Sequence, residues 1–408
     1  MYKKIIMAGL TSALLLSCTG KHARNVHETG NAPEAASLVK GEAGDLFLLV
    51  GTYTSEKGSK GIYLYRFNTL TGRSDSVSMA EVVNPSYLTL SPDEKYVYAV
   101  GENDEGNSAA HAFSFDKQRG MLTPVNSSPT LGGGPCYITI SGNGKDVHTA
   151  NYGGGSITSF RADEKGRLGP ATMVMQFKGE GPDRKRQSSP HLHSVMYSPD
   201  GQFLFAADLG SDKLYRFSVN DTPFEGQPSL QQSSLKAFDM PPGTGPRHFD
   251  FHPDGGKYLY VLGELSGEVI VFDYDLGGLT QKQVIAADTV GARGSADIHV
   301  SPDGKFLYAS NRLQADGIAI FSINPENGTL TKVGYQLTVK HPRNFVITPN
   351  GKFLLVAGRD DDRIQVFSVD METGMLTDTN HPIPLSKPVC LKFAEMGEQQ
   401  PDEQGALH

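Results

Sequence analysis

Basic residues are in the minority in this chain: 37 lysines and arginines stand against 45 aspartates and glutamates, a net charge of −8 over 408 residues. The basic footprint that nucleic-acid binding requires is therefore missing. Any anionic ligand must be held by a local basic pocket and not by the overall field. Cysteine is scarce, with three in all. Cys136 and Cys390 fall at strand starts far apart in the chain and read as ordinary buried thiols. There is no Gly-x-Ser-x-Gly elbow in a strand-to-helix setting, which disfavours acyl-enzyme chemistry. The apolar stretch Ile5–Leu16 is too short to span a bilayer, a task that takes about 20 residues.

That stretch follows Lys3 and Lys4, the pattern of an export signal. The run Leu15-Leu16-Ser17-Cys18 resembles a bacterial lipobox, whose cysteine is lipidated and becomes the new N-terminus. The expectation is a lipoprotein signal peptide over residues 1–17, a lipidation site at Cys18 and a flexible tether over 18–44 of small, polar and charged residues. The protein would then sit in the cell envelope, periplasmic or on the outer membrane, touching lipid only through this anchor. Loss of both signal-peptide lysines would take the mature chain to about −10.

From residue 91 onward a phrase close to Ser-Pro-Asp-Gly-Lys recurs, each copy followed by apolar residues. Copies start at Ser91, Ser141, Ser198, His252, Ser301 and Thr348, at intervals of 50, 57, 54, 49 and 47 residues. Such a period belongs to arrays of small four-stranded sheets. Each unit reads as strand, turn, strand, loop, strand, turn and weaker strand, the blade of a β-propeller. The phrase marks six units. Leu46–Gly51 reads as a second strand lacking its first, and Val389–Phe393 as a first strand with nothing after it. Joining them gives an all-β, seven-bladed propeller of four-stranded antiparallel blades, closed by N- and C-terminal strands with no free sheet edge. It should occupy residues 45–394, with a disordered tail over 395–408.

The phrase itself is scaffold, because Pro, Asp and Gly meet the demands of a tight turn. It also acts as a ruler. Five residues before it, where the first strand enters, stand Ser86, Cys136, His193, Arg247, Ala296 and Arg343. Beside them are Tyr87, Tyr137, Ser194, His248, Asp297 and Asn344. After the second strand come Asn151, Asp208, Gly263 and Asn311, then Glu102, Tyr152, Glu264, Arg312 and Arg359. A structural turn needs no such mixture; converging His, Arg and Glu make a ligand pocket at the channel mouth. The metal reading is disfavoured, on the expectation that His191 and His193 point in opposite directions.

The stretches Asn151-Tyr-Gly-Gly-Gly-Ser, His191-Leu-His-Ser, Gly245-Pro-Arg-His, Gly263-Glu-Leu-Ser, Ser310-Asn-Arg and Pro342-Arg-Asn resemble the seven-bladed lactonase family over about residues 45–393. That family includes bacterial propeller-type 6-phosphogluconolactonases and fungal carboxy-muconate lactonising enzymes. The resemblance implies lactone chemistry without metal or cofactor, and places its catalytic His, two Arg and Glu on His193, Arg247, Arg312 and Glu264. Asp297 stands where the family often has Glu, and Asn344 where many members have His. Substrate contacts are expected from His191, His248, Arg343, Asn151, Asp208, Asp297 and Tyr137. Glu264 or His193 would take a proton from water, while Arg247 and Arg312 bind the oxyanion or a phosphate. The implied partner of this monomer is a small lactone, possibly a phosphorylated one. The alternatives are a muconate-type lactonising isomerase and a non-catalytic envelope propeller that binds a glycan or protein.

Overall fold

A computed structural model of the protein describes residues 41–104, 106–220, 222–223 and 227–397. The signal segment, Cys18, most of the tether and all but the first three residues of the expected tail lie outside the described residues. Every regular element described is a β-strand. The strands form seven antiparallel sheets, six of them four-stranded. In the seventh the outermost strand is split into Leu376–Asp378 and Ile383–Pro384, both paired to Arg363–Val369. Closure occurs as expected: the C-terminal strand Pro388–Glu395 pairs with Asp45–Thr52, innermost in a blade completed by Gly61–Asn68 and Ser74–Glu81. Glu395 pairs with Leu46, so it belongs to the closing strand and not to a tail.

The turn phrase folds for the reasons its composition gives. Ser91 Oγ donates to Asp93 Oδ1 at 2.7 Å and accepts from Tyr96 N at 3.0 Å, and Ser198, Ser301 and Thr348 repeat the arrangement. Gly304 and Gly351 take φ of +73°, a conformation that costs glycine nothing. Apolar residues on the two faces of each blade meet those of its neighbours. Phe205 and Leu214 of one blade, for example, share a buried cluster with Phe249, Leu259 and Ile270 of the next. The core is thus a ring of inter-blade layers, and the innermost strands leave polar side chains on the axis.

One departure from regular pairing fixes the site. In six of the seven blades the innermost strand carries one residue more than its partner where it enters, and four of these matter to the site. Pro135 and Tyr137 oppose Asn151 and Ala150; Leu192 and Ser194 oppose Asp208 and Ala207; Pro246 and His248 oppose Gly263 and Leu262; Pro342 and Asn344 oppose Gly358 and Ala357. The unpaired residues are Cys136, His193, Arg247 and Arg343. These are β-bulges, which break the two-residue alternation and re-aim side chains.

Candidate active site

Bulged residues of the inner strands and the loops leaving the second strands meet at one mouth of the ring. Glu264 is the hub. Its Oε1 lies 2.6 Å from Arg186 Nη2, and its Oε2 lies 3.0 Å from Arg247 Nε and 3.1 Å from Arg312 Nη2. The Arg247 Nε–H is not aimed at that oxygen and makes no hydrogen bond. Burial alone would raise the Glu264 carboxyl, but Arg312, Arg247 and Arg186 outweigh it and hold it down at about 2. A carboxylate so clamped is a poor base. Of the two expected proton acceptors, Glu264 is thus the less suited, and it anchors the guanidinium groups.

Each arginine is fixed a second time. Arg247 Nη1 donates to the Ala296 carbonyl. Arg312 donates through Nε to Gly294 O at 2.8 Å, and its Nη1 lies 3.3 Å from His341 Nε2. Arg343 sits above the Tyr53 ring, 5.6 Å from its centroid, and 3.8 Å from Glu102 Oε2, which accepts from Tyr53 Oη at 2.9 Å. Four guanidinium groups thus face two carboxylates, leaving an excess of positive charge at the mouth of an acidic protein.

His193 lies within this set, buried, with Nδ1 3.7 Å from Cys136 Sγ. Burial first, then the nearby Arg247, keep its pKa well below the usual range, so it is neutral. Its ring packs edge-on to Tyr152 at 5.4 Å, while His191 stacks on the same Tyr152 at 4.4 Å. The two histidines therefore share one aromatic partner, and the expected divergence is corrected: residues two apart on an extended segment lie on the same face.

The remaining expected contacts separate into two groups. His248, Asp297 and Tyr137 stand together on the innermost strands: His248 Nδ1 is 2.7 Å from Asp297 Oδ1, the Tyr137 ring is 5.3 Å from that of His248, and Tyr137 stacks on Tyr87 at 3.9 Å. Two others are spent on scaffold. Asn151 is wholly buried, with hydrogen bonds to Ser156, Thr158 and Thr149 inside its own blade. Asp208 accepts from the backbone N–H groups of His191 and Gly210 and from Ser211 Oγ, which fixes the loop carrying His191. Every polar atom of both side chains is thus already engaged within the scaffold.

The ruler missed Arg186 and Tyr53. Arg186 lies in the 57-residue interval, the longest between copies of the phrase, within the run Asp183–Arg186. That length and that run of charge were the available signals. The loop is pinned by Gln187, which is fully buried and donates to Leu209 O and Asp212 Oδ1. A groove of about 1020 Å³ lined by Asn84, Asn103, His111 and Asn126 shares only Glu102 with this cluster. The convergence of buried charge, and not the size of the concavity, locates the site.

A closed seven-bladed ring with a buried arginine–carboxylate–histidine cluster at one mouth is a propeller built around a small-molecule site. Residues 47–393 match the family described as Lactonase, 7-bladed beta-propeller, and the chain belongs to that family. It is 38% identical over 342 residues to a 6-phosphogluconolactonase of Formosa agariphila, covering 81% of this chain and 94% of that protein. To the Bacillus subtilis 6-phosphogluconolactonase it is 36% identical, covering 84% and 97%. Among solved structures it superposes on a candidate 6-phosphogluconolactonase of Bacteroides fragilis with a TM-score of 0.84 and 53% identity, covering 86% of this chain and 99% of the other. The periplasmic gluconolactonase of Pseudomonas aeruginosa gives 0.80 at 33% identity, covering 86% and 100%.

Proposed function

We propose that this protein hydrolyses a sugar lactone that carries an anionic group, as a 6-phosphogluconolactone does. The observation that carries the reading is the cluster of Arg186, Arg247 and Arg312 around one buried carboxylate, with Arg343 beside it. Ester-ring opening passes through a tetrahedral oxyanion, and fixed guanidinium groups are suited to it and to a phosphate. Arg247 and Arg312, held at two points each, are the oxyanion donors. Arg343 and Arg186, nearer the rim, are placed for the anionic substituent. A neutral imidazole accepts the proton of the attacking water.

The purified full-length protein, given a panel of lactones and followed by proton release, should open 6-phosphogluconolactone and gluconolactone above the spontaneous rate. Arg247→Ala should lose that excess. A wild-type rate equal to the spontaneous one overturns the reading, and loss of a muconate's ultraviolet absorbance would point to a lactonising isomerase. We further propose that Cys18 is lipidated and anchors the protein in the cell envelope, a reading supported by the lipobox-like run before it and by the similarity to a periplasmic gluconolactonase of Pseudomonas aeruginosa. Metabolic incorporation of a labelled fatty acid should occur in the wild type and be absent in Cys18→Ala; equal labelling of the two refutes it.

A further inference from the structure

The mouth cluster supplies positive charge but no oriented base, and the inner strand beside it holds one, with the His248 ring 5.2 Å from that of His193. The bulge in strand Pro246–Phe251 turns two consecutive residues, Arg247 and His248, toward the site. His248 is only 5% exposed. Its Nδ1 lies 2.7 Å from Asp297 Oδ1. The other Asp297 oxygen accepts from His299 Nε2 at 3.1 Å, Asn344 Nδ2 at 2.5 Å and Phe345 N at 3.2 Å. A carboxylate ringed by donors is ionised and can only accept. The hydrogen therefore sits on His248 Nδ1, and Nε2 carries a lone pair.

That lone pair faces no donor. Nε2 is buried and without a partner, one of five such side-chain atoms among the described residues, and the neighbouring Arg247 Nε is another. Around the imidazole stand the His193 ring at 5.2 Å, Tyr137 at 5.3 Å and Tyr87 at 6.0 Å. A buried acceptor with no donor calls for an explanation: a water, a ligand or a catalytic task. A buried lone pair without a donor fits the proton of a water molecule.

We propose that His248 is the proton acceptor of the reaction, that the attacking water lodges against its Nε2, and that Asp297 is the positioning residue that fixes its tautomer. The assignment rests on the lactone-hydrolase reading above. Water oxygen bonds to the lactone carbonyl carbon as one of its protons passes to Nε2, and the carbonyl electron pair moves onto an oxygen held by guanidinium groups. Collapse reforms the carbonyl and breaks the ring C–O bond. The departing oxygen takes the proton from Nε2, which restores neutral His248, and the new acid releases its own proton to solvent. Glu264 is unsuited because three arginines hold it. His193 has no carboxylate to orient it, only Cys136 Sγ at 3.7 Å. A base oriented by a third group is the recurring arrangement.

The groups facing His248 are Asp297 and, behind it, His299, together with Arg247, His193, Tyr87 and Tyr137. Burial and Arg247 lower His248 to about 4 against the pull of Asp297, so it stays an acceptor through neutral pH. The test measures kcat and KM for lactone opening across the acid range in the full-length protein. His248→Gln should lose on the order of 10²–10⁴-fold in kcat with KM little changed. Asp297→Asn should lower kcat and move the acid limb to lower pH, because the carboxylate favouring imidazolium is gone, and Asp297→Glu should restore that limb. A purely structural role would lower the melting temperature and leave the limb in place. An active wild type whose His248→Gln variant keeps its kcat, or whose activity fails only in His193→Gln, overturns the assignment alone. A wild type that opens no lactone refutes the hydrolase reading and this assignment with it.

Discussion

Replacing Glu264 by glutamine keeps the shape of the side chain and removes the charge at the centre of the site. The carboxylate is 7% exposed, Arg247 1% and Arg312 7%, so solvent does little to screen the pairing. Removing one partner of a buried ion pair strands the other and typically costs about 3–5 kcal/mol. The titration argument gives a similar size. A carboxyl with an ordinary pKa of 4.5 that is held at about 2 in the fold contributes roughly 3 kcal/mol, at about 1.4 kcal/mol per pH unit. Because the folded value is depressed, this stability is complete above pH 4.5 and is lost as pH falls toward 2. Protonated glutamate and glutamine are nearly isosteric, so the gap between wild type and variant should close over that window. Urea midpoints of both proteins, measured at neutral pH and at steps down to about pH 3, should show a gap of roughly 3 kcal/mol that shrinks to less than half. A gap below about 1 kcal/mol at neutral pH, or one indifferent to pH, would refute the clamped-carboxylate argument.

Two further changes probe the loop that the repeat did not reveal. A Cβ at Gly210 would lie 1.9 Å from Ser189 O and 2.8 Å from His191 N, both backbone atoms. Gly210→Ala should therefore displace the segment carrying Arg186 and His191, lowering stability by about 1–3 kcal/mol and raising KM; thermal melting and steady-state kinetics check both. Arg186→Met should barely alter the melting temperature, since the arginine side chain is 39% exposed and such pairs contribute under about 1 kcal/mol. It should raise KM about tenfold, equivalent to ~1.4 kcal/mol, for a phosphorylated lactone and leave a neutral one almost unchanged. Equal shifts for both substrates would show that Arg186 does not read the anionic group.

The fold was legible because its determinants are local. Ser91, Asp93 and their counterparts build the same hydrogen-bonded turn wherever they recur, and Val389–Phe393 and Leu46–Gly51 each lack the neighbour that the other supplies. The site was legible only in part, and the β-bulge explains the boundary. Alternation sends adjacent residues such as Arg247 and His248 to opposite sides, and residues two apart such as His191 and His193 to the same one. The extra residue in the inner strand breaks that rule at the mouth, so Arg247 and His248 both reach the candidate site, whereas His191 and His193 meet Tyr152 by ordinary alternation. A bulge leaves no mark in composition, since it is defined by what pairs with what. Arg186 was hidden for a second reason: it reaches Glu264 across 78 residues from a loop with no counterpart in the other blades. Aligned register identifies positions that each blade can fill, but not those that a single insertion adds. The same limit applies to Asn151 and Asp208, whose positions face the mouth while their hydrogen bonds turn inward. Position in the repeat fixes where a residue stands, and its bonding partners decide whether it is free to meet a substrate. By that criterion His248 Nε2, buried and without a hydrogen-bond partner, singles out a candidate for the site more sharply than position in the repeat does.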